Sequence, residues 1–297
     1  MPLKSNSNFT LSALVLERSK FLPVWVYVSL VTNGLLLGAF ALFLARQQGF
    51  WSDFQASAST PQVTSPSPSP DAGIRHHLTY EQWVALLQRE AGVAAVTKPR
   101  RLSILLGDSL SLWFPPNLLP DGRTWLNQGI SGETSAGLLE RLRFLDRANP
   151  ETIFLMIGIN DLLRGMEDEA LLRNEQQIIG YLKSVHPQTQ IVIQSILPHA
   201  GQRATWEGRS RLKNIPNSRI RKLNRELIAL ANREGIYYLE LHPLFTDGEG
   251  NLRPELTTDG LHLSLQGYWV WRSAVLMFTQ TELEKHRFQN DPPIIGG

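Results

Sequence analysis

Leu102-Ser103-Ile104-Leu105-Leu106-Gly107-Asp108-Ser109-Leu110 is a short apolar run that ends in a glycine and a polar pair. A buried-type strand therefore runs straight into a tight corner, where glycine relieves the backbone restriction. A serine held at a strand-to-helix corner presents its hydroxyl outward, which makes Ser109 a candidate nucleophile. The same string is also compatible with a plain turn and an N-capping serine.

The pattern recurs downstream. Strand-length apolar runs at 102–106, 125–127, 153–157, 191–196 and 236–239 alternate with amphipathic stretches. Around Asn214–Gly235, Ile220, Leu223, Leu227, Leu230 and Ala231 share one helical face, and Gly235 supplies a stop. Alternation of this kind predicts parallel strands joined by crossover helices, hence an α/β fold of three layers, α/β/α, with a five-stranded parallel sheet. Ligands of open parallel sheets collect at the carboxyl ends of strands, which is where Ser109, Gly132 and Asn160 fall, each after a different strand.

Three further segments accompany the Ser109 corner. Thr124–Thr134 runs through Asn127-Gln128-Gly129-Ile130-Ser131-Gly132, Thr152–Asp161 ends in Gly158-Ile159-Asn160-Asp161, and Asp259-Gly260-Leu261-His262 lies further on. Together, in this order, they resemble the four blocks of the SGNH hydrolases, also called the GDSL lipase/esterase family. Asn127–Leu139 and Pro254–Tyr268 are most similar to the branch of platelet-activating-factor acetylhydrolase subunits and bacterial acyl-ester hydrolases. The resemblance covers roughly Arg101 to Leu276 and implies a flavodoxin-like SGNH fold. Glu133 departs from the Asp of many relatives, a change we read as tuning of a loop.

A serine hydroxyl attacks an ester only when a neutral imidazole takes its proton, and a carboxylate that fixes the imidazole tautomer makes that base effective. His262 and Asp259 suit these roles, because three residues apart on a turn their side chains project to one side. By resemblance the oxyanion hole consists of the Ser109 backbone N–H, the Gly132 backbone N–H and the Asn160 side-chain amide. For Asn160 the competing reading is a helix cap, and for the Asp259/His262 pair it is a capped turn. Among the other histidines only His199 sits near an expected strand end, and it reads as a loop residue without a catalytic task. No Cys/His or carboxylate cluster has metal-ligand spacing, so neither metal nor cofactor is expected.

The segment before this domain bears on location. Phe21–Leu44 carries no charged side chain and, at 1.5 Å per residue, is long enough for a hydrocarbon core of about 30 Å. It reads as an N-terminal transmembrane helix (residues 21–45) following a cytoplasmic segment (1–20). Lys4, Arg18 and Lys20 precede it, so the positive-inside rule puts the rest of the chain on the extracytoplasmic, periplasmic or lumenal side. A signal peptide cut after Ala56-Ser57-Ala58 is the rival, but the apolar run is too long and the site too distant. Gly34 and Gly38 match a Gly-x-x-x-Gly pattern, which in one apolar helix reads more often as lipid-compatible small residues than as a face that pairs two anchors into a homodimer. Residues 46–77 form a Ser/Pro-rich linker centred on Ser65-Pro66-Ser67-Pro68-Ser69-Pro70, which cannot bury a core. Order resumes at Leu78, where Thr79 and Gln82 match a capping box and Leu78 faces Trp83 as a staple. The hydrolase domain is assigned to 78–281 and a flexible tail to 282–297.

With a net charge of +2 the chain gives no case for nucleic acid, and with no cysteine it has neither disulfides nor thiol catalysis. The expected partner is an acyl ester: a small molecule, a lipid or a glycan. The expected function is a membrane-anchored serine esterase acting outside the cytoplasmic membrane through an acyl-enzyme, on short acyl groups. The alternatives are an O-acyltransferase on an envelope polymer and a catalytically silent envelope-binding module. Polar, basic 199–214 is read as a solvated loop, and Trp113 with Phe114 as an apolar wall for an acetyl-sized group.

Overall fold

The computed structural model describes residues 78–285. Helix α1 (Tyr80–Thr97) opens on the expected capping box: the Thr79 hydroxyl accepts the Gln82 N–H, and the Gln82 side chain accepts the Thr79 N–H. Leu78 packs against the cluster of Trp83, Leu87 and Ile130, so the staple forms as well. The helix ends at Thr97 and is capped by Lys98, whose backbone is in the left-handed conformation.

Five parallel strands follow in the sheet order β2–β1–β3–β4–β5: β1 (Leu102–Gly107), β2 (Thr124–Gly129), β3 (Thr152–Met156), β4 (Gln190–Gln194) and β5 (Tyr237–Leu239). The intervening helices are α2 (Ser109–Leu112), α3 (Ser135–Arg141), α4 (Ile159–Leu163), α5 (Asp168–Val185) and α6 (Asn217–Glu234), with α7 (His242–Phe245) and α8 (Leu265–Phe278) after β5. Both sheet faces are covered. Leu102, Ile104 and Leu106 of β1 join one core with Ala91 and Ala94 of α1, Leu138 of α3 and Ile178 of α5. Leu105 points the other way, into a core shared with α6 and α8. Strands buried on both sides are the period-2 signature of a three-layer parallel sheet.

Helix α6 begins after Pro216 and stops at Gly235, whose φ of 64° is the left-handed C-cap its sequence suggested. The amino end of the sheet is tied by Arg123, whose buried guanidinium donates to Ser103 Oγ (3.1 Å), Thr152 Oγ1 (3.0 Å) and Glu284 (3.1 Å). Glu284 also pairs with Arg101, and Leu283 is buried, so packing continues beyond Glu282, where a frayed tail was expected to start. The Phe21–Leu44 span, the Ser/Pro linker and the remaining tail lie outside the described residues. Among the described residues no helix is long and apolar enough to cross a membrane.

Candidate active site

Strand order reverses between β1 and β3, and the crevice at such a switch point is where open α/β sheets bind ligands. Ser109 follows β1 as the first residue of α2, so its backbone N–H has no acceptor inside the helix. Asp108 is the N-cap: its Oδ1 accepts the Leu110 N–H at 2.9 Å, and burial pushes its carboxyl up to about 7 against that hydrogen bond. The capping task therefore belongs to Asp108, which leaves the Ser109 hydroxyl out of it. Gly107 is required for contact: a Cβ there would lie 2.3 Å from the Met156 carbonyl and 2.4 Å from Ser111 Oγ.

Asp259 and His262 form a closely hydrogen-bonded unit. Asp259 Oδ1 accepts the backbone N–H groups of Leu261 (2.9 Å) and His262 (2.8 Å), and Oδ2 lies 2.7 Å from His262 Nδ1. Burial works against the charge on Asp259, but the hydrogen bonds from His262 and Leu261 win and hold its carboxyl below the usual range. With Nδ1 bound to a carboxylate, Nε2 is the nitrogen left for another group. The His262 ring lies on Trp113, with centroids 4.3 Å apart, and Trp113 donates its backbone N–H to the Ser109 carbonyl. Trp206 meets the same imidazole edge-on at 6.4 Å. The histidine thus contacts two indoles, one of them a single helical turn from Ser109.

The segment 199–206 supports this turn. Ala200 donates to the Gly260 carbonyl, and the N–H groups of Thr205 and Trp206 donate to the Asp259 carbonyl. Gly260, at φ 89°, lies so close to Ala204 that a Cβ would come within 2.5 Å of its Cα. The reading of 199–214 as a solvated loop is therefore corrected in part: His199, Ala200, Ala204 and Leu212 are buried, whereas its bases are exposed together with Gln202, Thr205, Glu207, Ser210 and Asn214. His199 is a structural residue, bonding Ile215 O through Nε2 (2.6 Å) and the Gly201 N–H through Nδ1 (3.0 Å).

Gly132 and Asn160 complete the edge. Gly132 has φ 76°, and nothing but Arg164 would come within 4 Å of a Cβ, so conformation and not space requires glycine. Its carbonyl is turned to Arg164 at 2.7 Å. Asn160 is not a cap; Gly158 takes that position, at φ 127°, and Asn160 lies inside α4. Its Nδ2 is buried without a hydrogen-bond partner. A buried amide left unpaired is costly, of order 1–3 kcal/mol, and points to a ligand atom that would satisfy it.

Sequence reading missed two braces behind these donors. Asp161 accepts the Ser135 hydroxyl (2.5 Å) and backbone N–H (3.0 Å), fixing the start of α3 directly after the Gly132 loop. Glu133 is buried and paired with Arg141 (2.7 Å), which also donates to the Gln128 carbonyl (2.8 Å). A Glu eight residues before an Arg carries no pattern that marks a buried pair. Phe114 is likewise corrected: it packs in the core against Tyr268 and Trp271, so of the pair only Trp113 reaches the site.

Residues 105–270 match the GDSL-like lipase/acylhydrolase family, more than half of the chain. The chain belongs to this family. An arylesterase of Vibrio mimicus is 29% identical over 126 residues, 37% of this chain and 63% of that protein, so the chain spans less than two thirds of it. Esterase TesA of Pseudomonas aeruginosa is 27% identical over 234 residues, 78% of this chain and 89% of that one. A GDSL-like lipase of Bacteroides thetaiotaomicron superposes with a TM-score of 0.57 at 21% identity, covering 66% of this chain and 98% of that structure, a likeness of fold. The GDSL family match begins inside β1, so α1 lies before it.

Proposed function

We propose that the protein is a serine ester hydrolase working through an acyl-enzyme, with Ser109, His262 and Asp259 as catalytic residues. The observation that carries this is the Asp259–His262 pair, fully hydrogen-bonded on the carboxylate side and laid on Trp113 one turn from Ser109. Ser109 Oγ attacks the ester carbon as its proton passes to His262 Nε2. The carbonyl oxygen becomes an oxyanion beside the Ser109 and Gly132 N–H groups and the Asn160 amide, in the low-dielectric setting where fixed donors act most strongly. Collapse breaks the bond to the alcohol oxygen, which takes the proton from His262, and water then releases the acid by the same route.

A short acyl group fits this reading. The hollow lined by Leu110, Ile159, Ile196 and Leu261, next to Asp108, holds about 10 Å³, the room of one water. We further propose that Phe21–Leu44 anchors the enzyme in a membrane, with the catalytic domain outside the cytoplasm; the uncharged span and the bases before it support this.

The test is covalent labelling by a serine-directed fluorophosphonate together with turnover of 4-nitrophenyl esters. Ser109→Ala abolishes both, and His262→Ala nearly so, because triad members act as a unit. Full esterase activity in either variant removes the mechanism. A rate that rises steadily from acetate towards long acyl chains rejects the short-acyl reading. An unlabelled, inactive wild type points to a silent binding module.

A further inference from the structure

Beside the candidate site lies a groove of about 240 Å³, lined by Leu78, Tyr80 and Trp83 on one side and by Trp113, Ile130 and Ser131 on the other. One wall is α1, which stands outside the family-matched residues 105–270. That wall is fixed to the catalytic loop. Trp83 is buried against Ile130, the Gln128 side chain donates to the Leu87 carbonyl at 3.3 Å, and the Tyr80 hydroxyl donates to Glu133 at 3.4 Å. The opposite wall is continuous with the chemistry, since Ser131 precedes Gly132 and Trp113 lies against His262.

Position decides which half of an ester would enter. His262 hands its proton to the departing alcohol, so the alcohol lies at the imidazole, and Trp113 bridges that ring and the groove. The acyl half lies on the other side of the scissile bond, away from the groove. Size and lining decide the chemistry. At about 240 Å³ the groove has room for one six-membered ring and its linkage but is smaller than a drug-sized pocket of about 300 Å³ or more. Tyr80 is 44% exposed and offers a flat face on which a ring stacks, while Trp113, its ring against His262, closes the other side of the groove.

Resting on the esterase reading above, we propose that α1 and Trp113 form a subsite for the alcohol half of the substrate, selective for esters whose alcohol carries a six-membered ring. An aryl ring and a pyranose share this chemistry.

The test uses the full-length protein and three acetates with alcohols of different shape: ethyl acetate, phenyl acetate and a mono-O-acetyl methyl glucoside. For each ring ester the readout is the ratio of its kcat/KM to that for ethyl acetate. Tyr80→Ala lowers that ratio about tenfold, the scale of one lost aromatic contact. Tyr80→Phe keeps the ring and so keeps the ratio, which separates stacking from the contact with Glu133. The ester whose ratio falls identifies the ring, aryl or sugar. Ser131→Trp, which fills the groove from the other wall, lowers the ratio as well, and thermal melting of each variant reports its folding. Ratios unchanged in both Tyr80→Ala and Ser131→Trp overturn the subsite, as does a loss that grows with acyl length from ethyl acetate to ethyl octanoate. Absence of wild-type turnover on all three acetates overturns the esterase reading as well, so the two failures are distinct.

Discussion

Replacing Asn160 by alanine separates an oxyanion donor from a helix cap because the two roles predict different changes in stability. The Asn160 Nδ2 is buried without a partner, and the cap of α4 is Gly158. In the resting protein no protein group accepts from that amide, so removing it breaks no intramolecular hydrogen bond. Alanine breaks no protein bond there and, in the first turn of α4, costs the helix little. The melting temperature of Asn160→Ala therefore stays level, whereas loss of a cap lowers it by about 2–4 °C for each kcal/mol lost in a domain of this size. Catalysis does change. The bond is made only as charge develops on the carbonyl oxygen, so kcat falls about 10²–10³-fold, roughly 2.7–4 kcal/mol, with a smaller change in KM. Asn160→Asp is a sharper case, since it sets a carboxylate oxygen where the oxyanion forms, and its kcat falls at least as far. Differential scanning calorimetry and steady-state kinetics on the same samples provide the check. A melting temperature lower by several degrees with kcat per folded molecule intact refutes the reasoning and restores the cap.

Glu133→Ala leaves the Arg141 guanidinium buried and unpaired, and costs about 3–5 kcal/mol, read as a lower urea midpoint; Glu133→Gln combined with Arg141→Met recovers most of it. Glu175 lies wholly within the protein, and burial together with nearby Asp161 pushes its carboxyl up to about 8, against an ordinary 4.5. The folded state thus holds a proton that the unfolded chain has released, so this group's stability is complete below pH 4.5 and lost as pH rises through 8. Glu175→Gln keeps the neutral shape and removes that slope, up to about 1.4 kcal/mol per pH unit in the window. Chemical denaturation at pH 5 and pH 8 measures it; a wild-type minus variant difference that does not change between the two pH values sinks the assignment. For the proposed anchor, the protein stays with membranes through high-salt and alkaline washing, and a mature soluble form beginning near Ser59 overturns it.

Local residues were enough for much of the fold and for the list of candidate site residues. Strand positions were legible because both faces of a parallel sheet are apolar, so each of 102–106, 153–157 and 191–196 stands out as a continuous run. The capping box at Thr79 and the Gly235 stop were legible because they are interactions between residues a few positions apart. Ser109, Gly132, Asn160, Asp259 and His262 were legible as blocks in order. Only the tertiary structure could decide what depends on approach between distant segments. It moved Phe114 into the core, brought both Trp113 and Trp206 against His262, buried Glu133 with Arg141, and set Asp161 under the Ser135 N–H. It also distinguished a cap from an unpaired donor at Asn160, since the sequence Gly158-Ile159-Asn160-Asp161 suits either, and only atomic positions show which polar atoms have found partners. The physical reason is the range of the forces involved. Propensity and periodicity act within a turn or two of chain, whereas the pairing of a buried polar group depends on whichever segment the fold lays against it.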